Sequence, residues 1–327
     1  MNYLKLVRFK NLIFIVFIQL VMQQLVIMPV LQKYGFDYSS VNFQFILLIT
    51  ATVFIAAGGY VLNDYFDIKI DAVNRPDKLI VSRLISKRSA MILYQVITSL
   101  GIISGLIAAF LSRSFSLMFI FIVVPGLLWF YSSSYKRQFM IGNLIVSFAT
   151  ALTVLVVAIN EIAVLELEYG SLLYETPVPG QVYLWISGFS FFSFLLSWLR
   201  EIVKDMEDIE GDRELECRTM PVKWGIAKSK WFVYFLVLIT AVLLLIINSY
   251  INEFEGNLTF RYLIFGLIIP LALMVFLTFM AKNSEDFHRI STFLKFIMLI
   301  GVMYGFIFYY LMAKTYNLPL FDLFIVK

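Results

Sequence analysis

The 327-residue chain is strongly apolar: 61% of its residues are hydrophobic, 15% are charged, and its mean hydropathy is +0.87. A soluble domain is about half apolar and about a quarter charged, so this composition excludes a large water-soluble enzyme domain, and the many Leu, Ile, Val and Phe residues exclude a disordered chain. The net charge is only +4, and a single cysteine and a single histidine exclude an intramolecular disulfide and a His- or Cys-rich metal site. The composition predicts an all-α, polytopic membrane protein with a lipid bilayer as its surroundings. No nucleic-acid partner is expected, and no obligate protein partner is inferred.

Nine apolar stretches are long enough to cross a bilayer. The first could be mistaken for a signal peptide, because Lys5, Arg8 and Lys10 precede it, but no small-x-small cleavage site follows and we interpret it as a retained helix. We expect residues 1–327 to form one transmembrane domain. The predicted spans are 12–30, 43–62, 91–110, 115–131, 141–160, 183–199, 231–249, 260–280 and 293–313.

The basic residues are distributed unevenly between the two sides of this arrangement. If the spans alternate in direction, the N-terminus and the segments 63–90, 132–140, 200–230 and 281–295 share one side and contain most of the 26 Lys and Arg residues. The opposite loop 161–181 has four Glu and no basic residue. By the positive-inside rule, the N-terminus and the two large polar loops are predicted to be cytoplasmic and the C-terminus external. We expect a multi-pass protein of a prokaryotic plasma membrane.

An aspartate triplet with spacings of three and four residues follows the second span and recurs after the sixth. On an α-helix this spacing places all three carboxylates on one face, so the recurrence indicates an internal repeat of a helix hairpin with an acidic rim. Six carboxylates at one membrane surface repel one another, and bound divalent cations would relieve that repulsion. The triplets are Asp64, Asp67 and Asp71, and Asp205, Asp208 and Asp212.

Carboxylate ligands without His or Cys suit a hard cation, Mg²⁺ or alternatively Mn²⁺. Mg²⁺ is usually bound through one or two carboxylates and the phosphates of a substrate, so two acidic faces could hold a diphosphate between them. Basic residues on the same side are candidates for binding the remaining phosphate oxygens. A charged diphosphate in front of an apolar chamber implies an amphiphilic substrate such as a prenyl diphosphate. The basic candidates include Arg75, Lys136, Arg200 and Lys204.

Three motifs, in order along the chain, resemble those of the UbiA-type intramembrane prenyltransferases. Residues 63–71, NDYFDIKID, are similar to the family's NDxxDxxxD motif, and residues 74–76, NRP, resemble the N-[RK]-P element that follows it. Residues 200–212, REIVKDMEDIEGD, resemble the second acidic motif. Residues 131–143 resemble the YxxxK…GN segment between helices four and five. The likeness covers nearly the whole chain.

The resemblance implies nine transmembrane helices around a central cavity. It also implies Mg²⁺-dependent transfer of a prenyl group from a prenyl diphosphate to a lipophilic acceptor, with the six aspartates as metal-binding and catalytic residues and Asn63 at the metal or the phosphate. Loss of diphosphate leaves an allylic cation, which an apolar chamber protects from water and aromatic faces stabilise. The aromatic candidates are Tyr65, Phe66, Tyr131 and Tyr135.

The acceptor remains open between two types of molecule. The residues of the motifs are most similar to those of the geranylgeranylglycerol-phosphate geranylgeranyltransferases, but residues 77–83 lack the basic-Pro-x-x-Ser-Gly run found in many members. The alternative hypothesis is an enzyme that prenylates an aromatic acceptor of quinone biosynthesis, of the 4-hydroxybenzoate, dihydroxynaphthoate or homogentisate type. A transporter is the alternative of another class, but it would place ionisable groups at the membrane midplane. His288 and Cys217 are expected to be bystanders, with His288 in water.

Overall fold

The computed structural model describes residues 2–36, 42–74, 79–250, 254, 256–320 and 324–325. Within these ranges nine helices are long and apolar enough to cross a membrane, which confirms the predicted count and order. We call them spans 1 to 9. They are Phe9–Lys33, Phe43–Phe66, Lys87–Leu111, Phe115–Ser133, Ile141–Glu175, Val178–Glu207, Met220–Ser249, Leu258–Met280 and Ser284–Tyr316.

Short elements connect or extend these spans. A 3-10 turn, Tyr135–Arg137, joins spans 4 and 5, and the helix of span 5, Ile141–Tyr169, ends in a second 3-10 turn, Gly170–Glu175. Two two-residue strands, Pro319–Leu320 and Phe324–Ile325, pair antiparallel near the C-terminus. The short helices are Asn2–Leu6, Ile68–Asn74 and Ile209–Glu214.

Side-chain caps determine where several spans begin. The Asn42 side chain accepts a hydrogen bond from the Phe45 N–H at 2.8 Å at the start of span 2, and Ser86 does the same for Ser89 at 3.0 Å before span 3. A capping box between Asn283 and Asp286 begins span 9. Span 9 therefore starts nine residues earlier than hydropathy predicts, because its first turns are polar and project beyond the apolar stretch.

Two spans contain a π-helical segment directly before a proline. Met22–Ile27 precedes Pro29 in span 1, and Leu263–Ile268 precedes Pro270 in span 8. Proline lacks an N–H, and its ring clashes with the carbonyl four residues earlier in a regular α-helix. A wider π turn accommodates the ring, so both irregularities have a local cause.

The spans close into a ring. Each one contacts the next along the chain, and span 9 also contacts span 1. Small residues allow close approach: a Cβ added to Gly58 in span 2 would lie 2.1 Å from Thr98 Oγ1 of span 3, and one added to Gly105 would lie 2.4 Å from Phe121 of span 4. Two apolar clusters fill the bundle, one mainly among spans 1, 2, 4, 5, 6 and 9 and one among spans 6 to 9.

Span 5 buries a carboxylate that the sequence analysis had placed in an external loop. The helix continues past the predicted end at residue 160, and Glu161 is 4% exposed. Its Oε2 accepts a hydrogen bond from Gln23 Nε2 of span 1 at 2.7 Å. The loop assignment was wrong because hydropathy alone does not register a polar residue that is paired across two helices.

Candidate active site

The two aspartate triplets lie at the same end of the bundle, which we call the acidic end, and the chain bends in the same way at both. Span 2 ends at Asp67 (φ −89°, ψ 1°) before the helix Ile68–Asn74, and span 6 ends at Asp208 (φ −96°, ψ 10°) before the helix Ile209–Glu214. The middle aspartate of each triplet thus occupies a helix junction. This repeated bend supports the internal repeat, although a continuous helix was expected through each triplet.

The first triplet is held by cations and an amide. Asp64 accepts a hydrogen bond from Arg8 Nη2 at 2.8 Å. Asp67 is buried; its Oδ2 accepts from Asn63 Nδ2 at 2.8 Å, and its Oδ1 forms an ion pair with Lys136. Lys136 Nζ also lies 3.4 Å from Asn63 Oδ1. Asn63, Asp67 and Lys136, all predicted site residues, therefore form one cluster.

Two aspartates of the second triplet accept hydrogen bonds from neutral side chains. Asp205 Oδ2 accepts from Asn143 Nδ2 at 2.8 Å, and Asp212 Oδ2 accepts from the Thr219 hydroxyl at 3.0 Å. Burial, with the nearby Asp208 carboxylate, raises the pKa of Asp212 to about 6. Burial and the neighbouring Lys204 ammonium lower the pKa of Lys136 to about 7. The acidic end therefore holds groups whose charges respond strongly to a bound ion or phosphate.

Asn74 joins the two motif segments. Its Nδ2 donates to the Asp208 carbonyl at 3.2 Å, and its Oδ1 accepts from the Gly211 N–H at 2.9 Å. A Cβ on Gly211 would lie 2.5 Å from Asn74 Nδ2, so glycine is required for this approach. The bridge holds the helix after span 2 against the helix after span 6.

A buried carboxylate organises two of the predicted phosphate-binding cations. Arg200 Nη1 donates to Glu201 Oε1 at 2.6 Å, and Lys204 Nζ donates to Glu201 Oε2 at 3.3 Å. The Nε atom of Arg200 is buried without a hydrogen-bond partner among the described residues. That N–H remains available to a bound anion.

Two cavities of about 520 Å³ each lie within the bundle, and the first of them opens from this region. The first, which we call the polar cavity, has Asn63, Arg200 and Lys204 among its wall residues and continues along apolar side chains of spans 1, 2, 4 and 5. The second, the apolar cavity, is lined by spans 1 and 5 to 9. Both share a wall that includes Phe14 and Met298. A charged mouth in front of apolar space suits an amphiphilic substrate.

Of the aromatic candidates, Tyr131 lines the polar cavity. Phe66 packs edge-to-face on Trp129, with ring centroids 5.9 Å apart, and Tyr65 packs edge-to-face on Phe66 at 5.4 Å. Tyr135 packs near Phe130 at 6.1 Å. Tyr60, which sequence reasoning missed, lines the polar cavity and lies under the Arg8 guanidinium, 5.0 Å from the ring centroid.

The donor set at the acidic end suits Mg²⁺. Within the described residues no three Asp, Glu, His or Cys side chains form a group that could hold a metal ion by themselves. Mg²⁺ does not require such a group, since it takes one or two carboxylates together with substrate phosphates and water. Oxygen ligands on two facing segments, with cations beside them, fit that mode of binding.

Several residues at the site were not predicted as site residues. Arg8, Asn143 and Asn74 all contact the motif segments. The signal for Asn143 and Asn74 was their place in a family-like stretch of sequence, and Arg8 was noted only as a basic residue before the first span. Arg75, a predicted phosphate-binding residue, lies outside the described residues. His288 was expected to be free in water, but its Nδ1 lies 2.9 Å from Glu207 Oε1, because span 9 begins against the end of span 6.

The comparisons with known proteins identify a family. A model of the UbiA prenyltransferase family matches residues 34–300. The chain is 31% identical over 260 residues to the digeranylgeranylglyceryl phosphate synthase of Methanosphaera stadtmanae, covering 78% of this chain and 85% of the relative. A solved structure of digeranylgeranylglyceryl phosphate synthase is 25% identical, with a TM-score of 0.60 over 94% of this chain and 97% of that one.

A UbiA homologue from Archaeoglobus fulgidus, solved with GPP and Mg²⁺ bound, has the same fold. It is 16% identical, with a TM-score of 0.55 over 95% of this chain and 100% of the other. Because the family match extends over most of the sequence, the chain belongs to the UbiA prenyltransferase family and is an integral membrane prenyltransferase.

Proposed function

We propose that this UbiA-family prenyltransferase transfers a geranylgeranyl group from geranylgeranyl diphosphate to the free hydroxyl of geranylgeranylglycerol phosphate, with Mg²⁺ at the acidic end. The observation that carries the proposal is the Asn74 bridge, which holds two matching aspartate segments together at one end of the bundle. The acceptor is taken from relatives such as the Methanosphaera stadtmanae synthase, which is 31% identical.

The acidic end is assigned to the diphosphate. Bound Mg²⁺ would neutralise the negative charge that develops on the leaving group. Asn63 and Lys136, which meet at Asp67, are proposed to orient the diphosphate and donate to its oxygens. The metal-binding residues we propose are Asp64, Asp67, Asp71, Asp205, Asp208 and Asp212, and the phosphate-binding residues are Asn63, Arg75, Lys136, Arg200 and Lys204.

The cavities are assigned to the chains of the substrates. The bond between the allylic carbon and the diphosphate oxygen breaks, the acceptor oxygen bonds to that carbon, and the hydroxyl proton is released to a diphosphate oxygen. Apolar walls exclude the water that would otherwise trap the allylic cation. The ring faces of Tyr131 and Tyr60 in the polar cavity are suited to stabilise it.

The acidic end is proposed to face the cytoplasm of a prokaryotic cell, because the basic loops lie on that side. Single cysteines at exposed Ser171 and Lys282, each in a Cys217→Ser background, test this orientation in intact cells. A membrane-impermeant maleimide should label the first and not the second. The reverse pattern would invert the proposed topology.

The product identifies the acceptor. Purified protein in lipid nanodiscs, Mg²⁺ and labelled geranylgeranyl diphosphate are incubated with geranylgeranylglycerol phosphate and a hydroxylated aromatic acid in the same tube. We expect the label in a doubly prenylated glycerol phosphate. A prenylated ring as the main product would overturn the acceptor assignment and move the enzyme to quinone-type biosynthesis.

A further inference from the structure

The polar cavity carries more positive charge than its own carboxylate balances. Among its described wall residues are five cations and a single carboxylate, Glu201. Three of the cations have partners: Arg8 pairs with Asp64, and Arg200 and Lys204 share Glu201. The five cations are Arg8, Lys10, Arg200, Lys204 and Lys295.

Lys10 and Lys295 are the two cations of this wall without an ion pair or hydrogen bond to any described residue. Lys295 lies within a membrane-spanning helix, about 16 Å along span 9 from Ser284. A cation in such a helix is costly unless it meets an anion or a polar cavity. Neither residue belongs to the acidic segments or to the cluster around Asp67.

The two lysines lie at the same depth on neighbouring helices. Spans 1 and 9 both begin at the acidic end, since Arg8 contacts Asp64 and Ser284 contacts the Glu207 carbonyl. The spans pack together where a Cβ on Gly305 would lie 2.7 Å from Val21. Counting back along each helix from this contact brings Lys10 and Lys295 level to within about one residue, a rise of about 1.5 Å.

This position lies between the acidic end and both cavities. Lys295 is one helical turn before Met298, which belongs to the wall shared by the polar and apolar cavities. A lipid with its phosphate at the lysines could therefore extend its chain along either cavity. The donor diphosphate has its own ligands on spans 2 and 6, so the lysines provide for a second anion.

We propose that Lys10 and Lys295 form a second anion subsite that binds the phosphomonoester of the acceptor lipid. The inference rests on the proposed function and deepens it, because a phosphate-bearing acceptor needs such a subsite and an aromatic ring does not. Two ammonium groups on adjacent helices bracket a phosphate as point charges. The subsite fixes the acceptor head group beside the diphosphate while the glycerol hydroxyl remains free to react.

The test separates donor binding from acceptor binding. In Lys295→Gln, we expect the acceptor KM to rise about tenfold, since a charge-assisted contact to phosphate is lost, while the donor KM stays within about twofold. Lys10→Gln should show the same pattern, and Lys295→Arg should recover most of the acceptor affinity. Lys314→Gln is the matched control, because Lys314 is exposed near the far end of the same span.

A binding measurement that needs no turnover accompanies the kinetics. The probe is a dialkylglycerol phosphate with both hydroxyls etherified, titrated against the wild type and each variant in nanodiscs. We expect about tenfold weaker binding in Lys295→Gln and no change in Lys314→Gln. A raised donor KM with an unchanged acceptor KM would overturn the inference, as would variants that match the wild type in both.

Failure of the proposed function gives a different pattern. In that case the wild type itself neither prenylates geranylgeranylglycerol phosphate nor binds the etherified probe, and the inference fails with it. If the wild type does both and Lys295→Gln is unaffected, the proposed function stands and the subsite is refuted. An unchanged donor KM in the variants establishes that they are folded.

Discussion

Glu201 shows how pairing decides the role of charged residues at the acidic end. The sequence motif predicts Arg200 and Lys204 as phosphate-binding cations, and the structure places both on the wall of the polar cavity. The motif does not reveal that the buried Glu201 carboxylate binds both cations, because such a pairing depends on side-chain directions that sequence spacing alone does not give. Lys136 shows the same limit: its position was predicted, its ion pair with Asp67 was not.

Replacing Glu201 with glutamine should destabilise the protein. The change leaves the Arg200 and Lys204 cations without their carboxylate, and breaking a largely buried pair of this kind costs about 3 kcal/mol of unfolding free energy. Thermal unfolding in detergent measures the effect. Glu214→Gln, an exposed acid at the end of the short helix that follows span 6, serves as the control, and equal unfolding temperatures for the two variants would contradict this view of Glu201.

The repeat of span, bend and short helix organises the site at the level of elements. The sequence predicts both triplets, their order and their shared side, because residue spacing and hydropathy can be determined without knowledge of the tertiary structure. The bends at Asp67 and Asp208 and the Asn74 bridge could not be predicted, since they depend on contacts between segments far apart in sequence. The π turns before Pro29 and Pro270 were likewise not predicted, although their local cause is visible in the sequence.

Asn74 and Gly211 should act as a unit. Asn74→Ala removes the bridge, and Gly211→Ala pushes the Asn74 amide away, so each should lower prenyl transfer by about tenfold through loss of alignment of the two segments. The double variant should be no worse than either single one, because the same contact is lost in all three. Steady-state rates of the three variants provide the measurement. Additive losses would show that the residues act independently.

At the scale of the whole molecule, the ring of nine spans and its side-to-side charge asymmetry follow from composition and hydropathy. The division of the interior into two cavities does not, because it depends on which side chains meet across the ring. Gly188 of span 6 lines the apolar cavity, and nothing lies within 4 Å of a Cβ added there. The cavity can therefore be filled by substitution without disturbing the helix packing.

Gly188→Phe should lower kcat/KM with geranylgeranyl substrates by about tenfold, because the ring occupies volume that an isoprenoid chain requires. Gly180→Phe is the matched control in the same span, since it too has open space at its Cβ and does not line either cavity. If the two variants retain the same kcat/KM, the apolar cavity does not receive a substrate chain.

The central claim is that the two aspartate segments act together on one metal-bound diphosphate. The most direct measurement is the Mg²⁺-dependent rate of prenyl transfer in Asp67→Asn and in Asp208→Asn, one substitution in each segment, with Glu210→Gln as the neighbouring exposed control. We predict that each aspartate variant loses at least about a hundredfold in rate while the control stays within about twofold of the wild type. A wild-type rate in either aspartate variant would contradict the account.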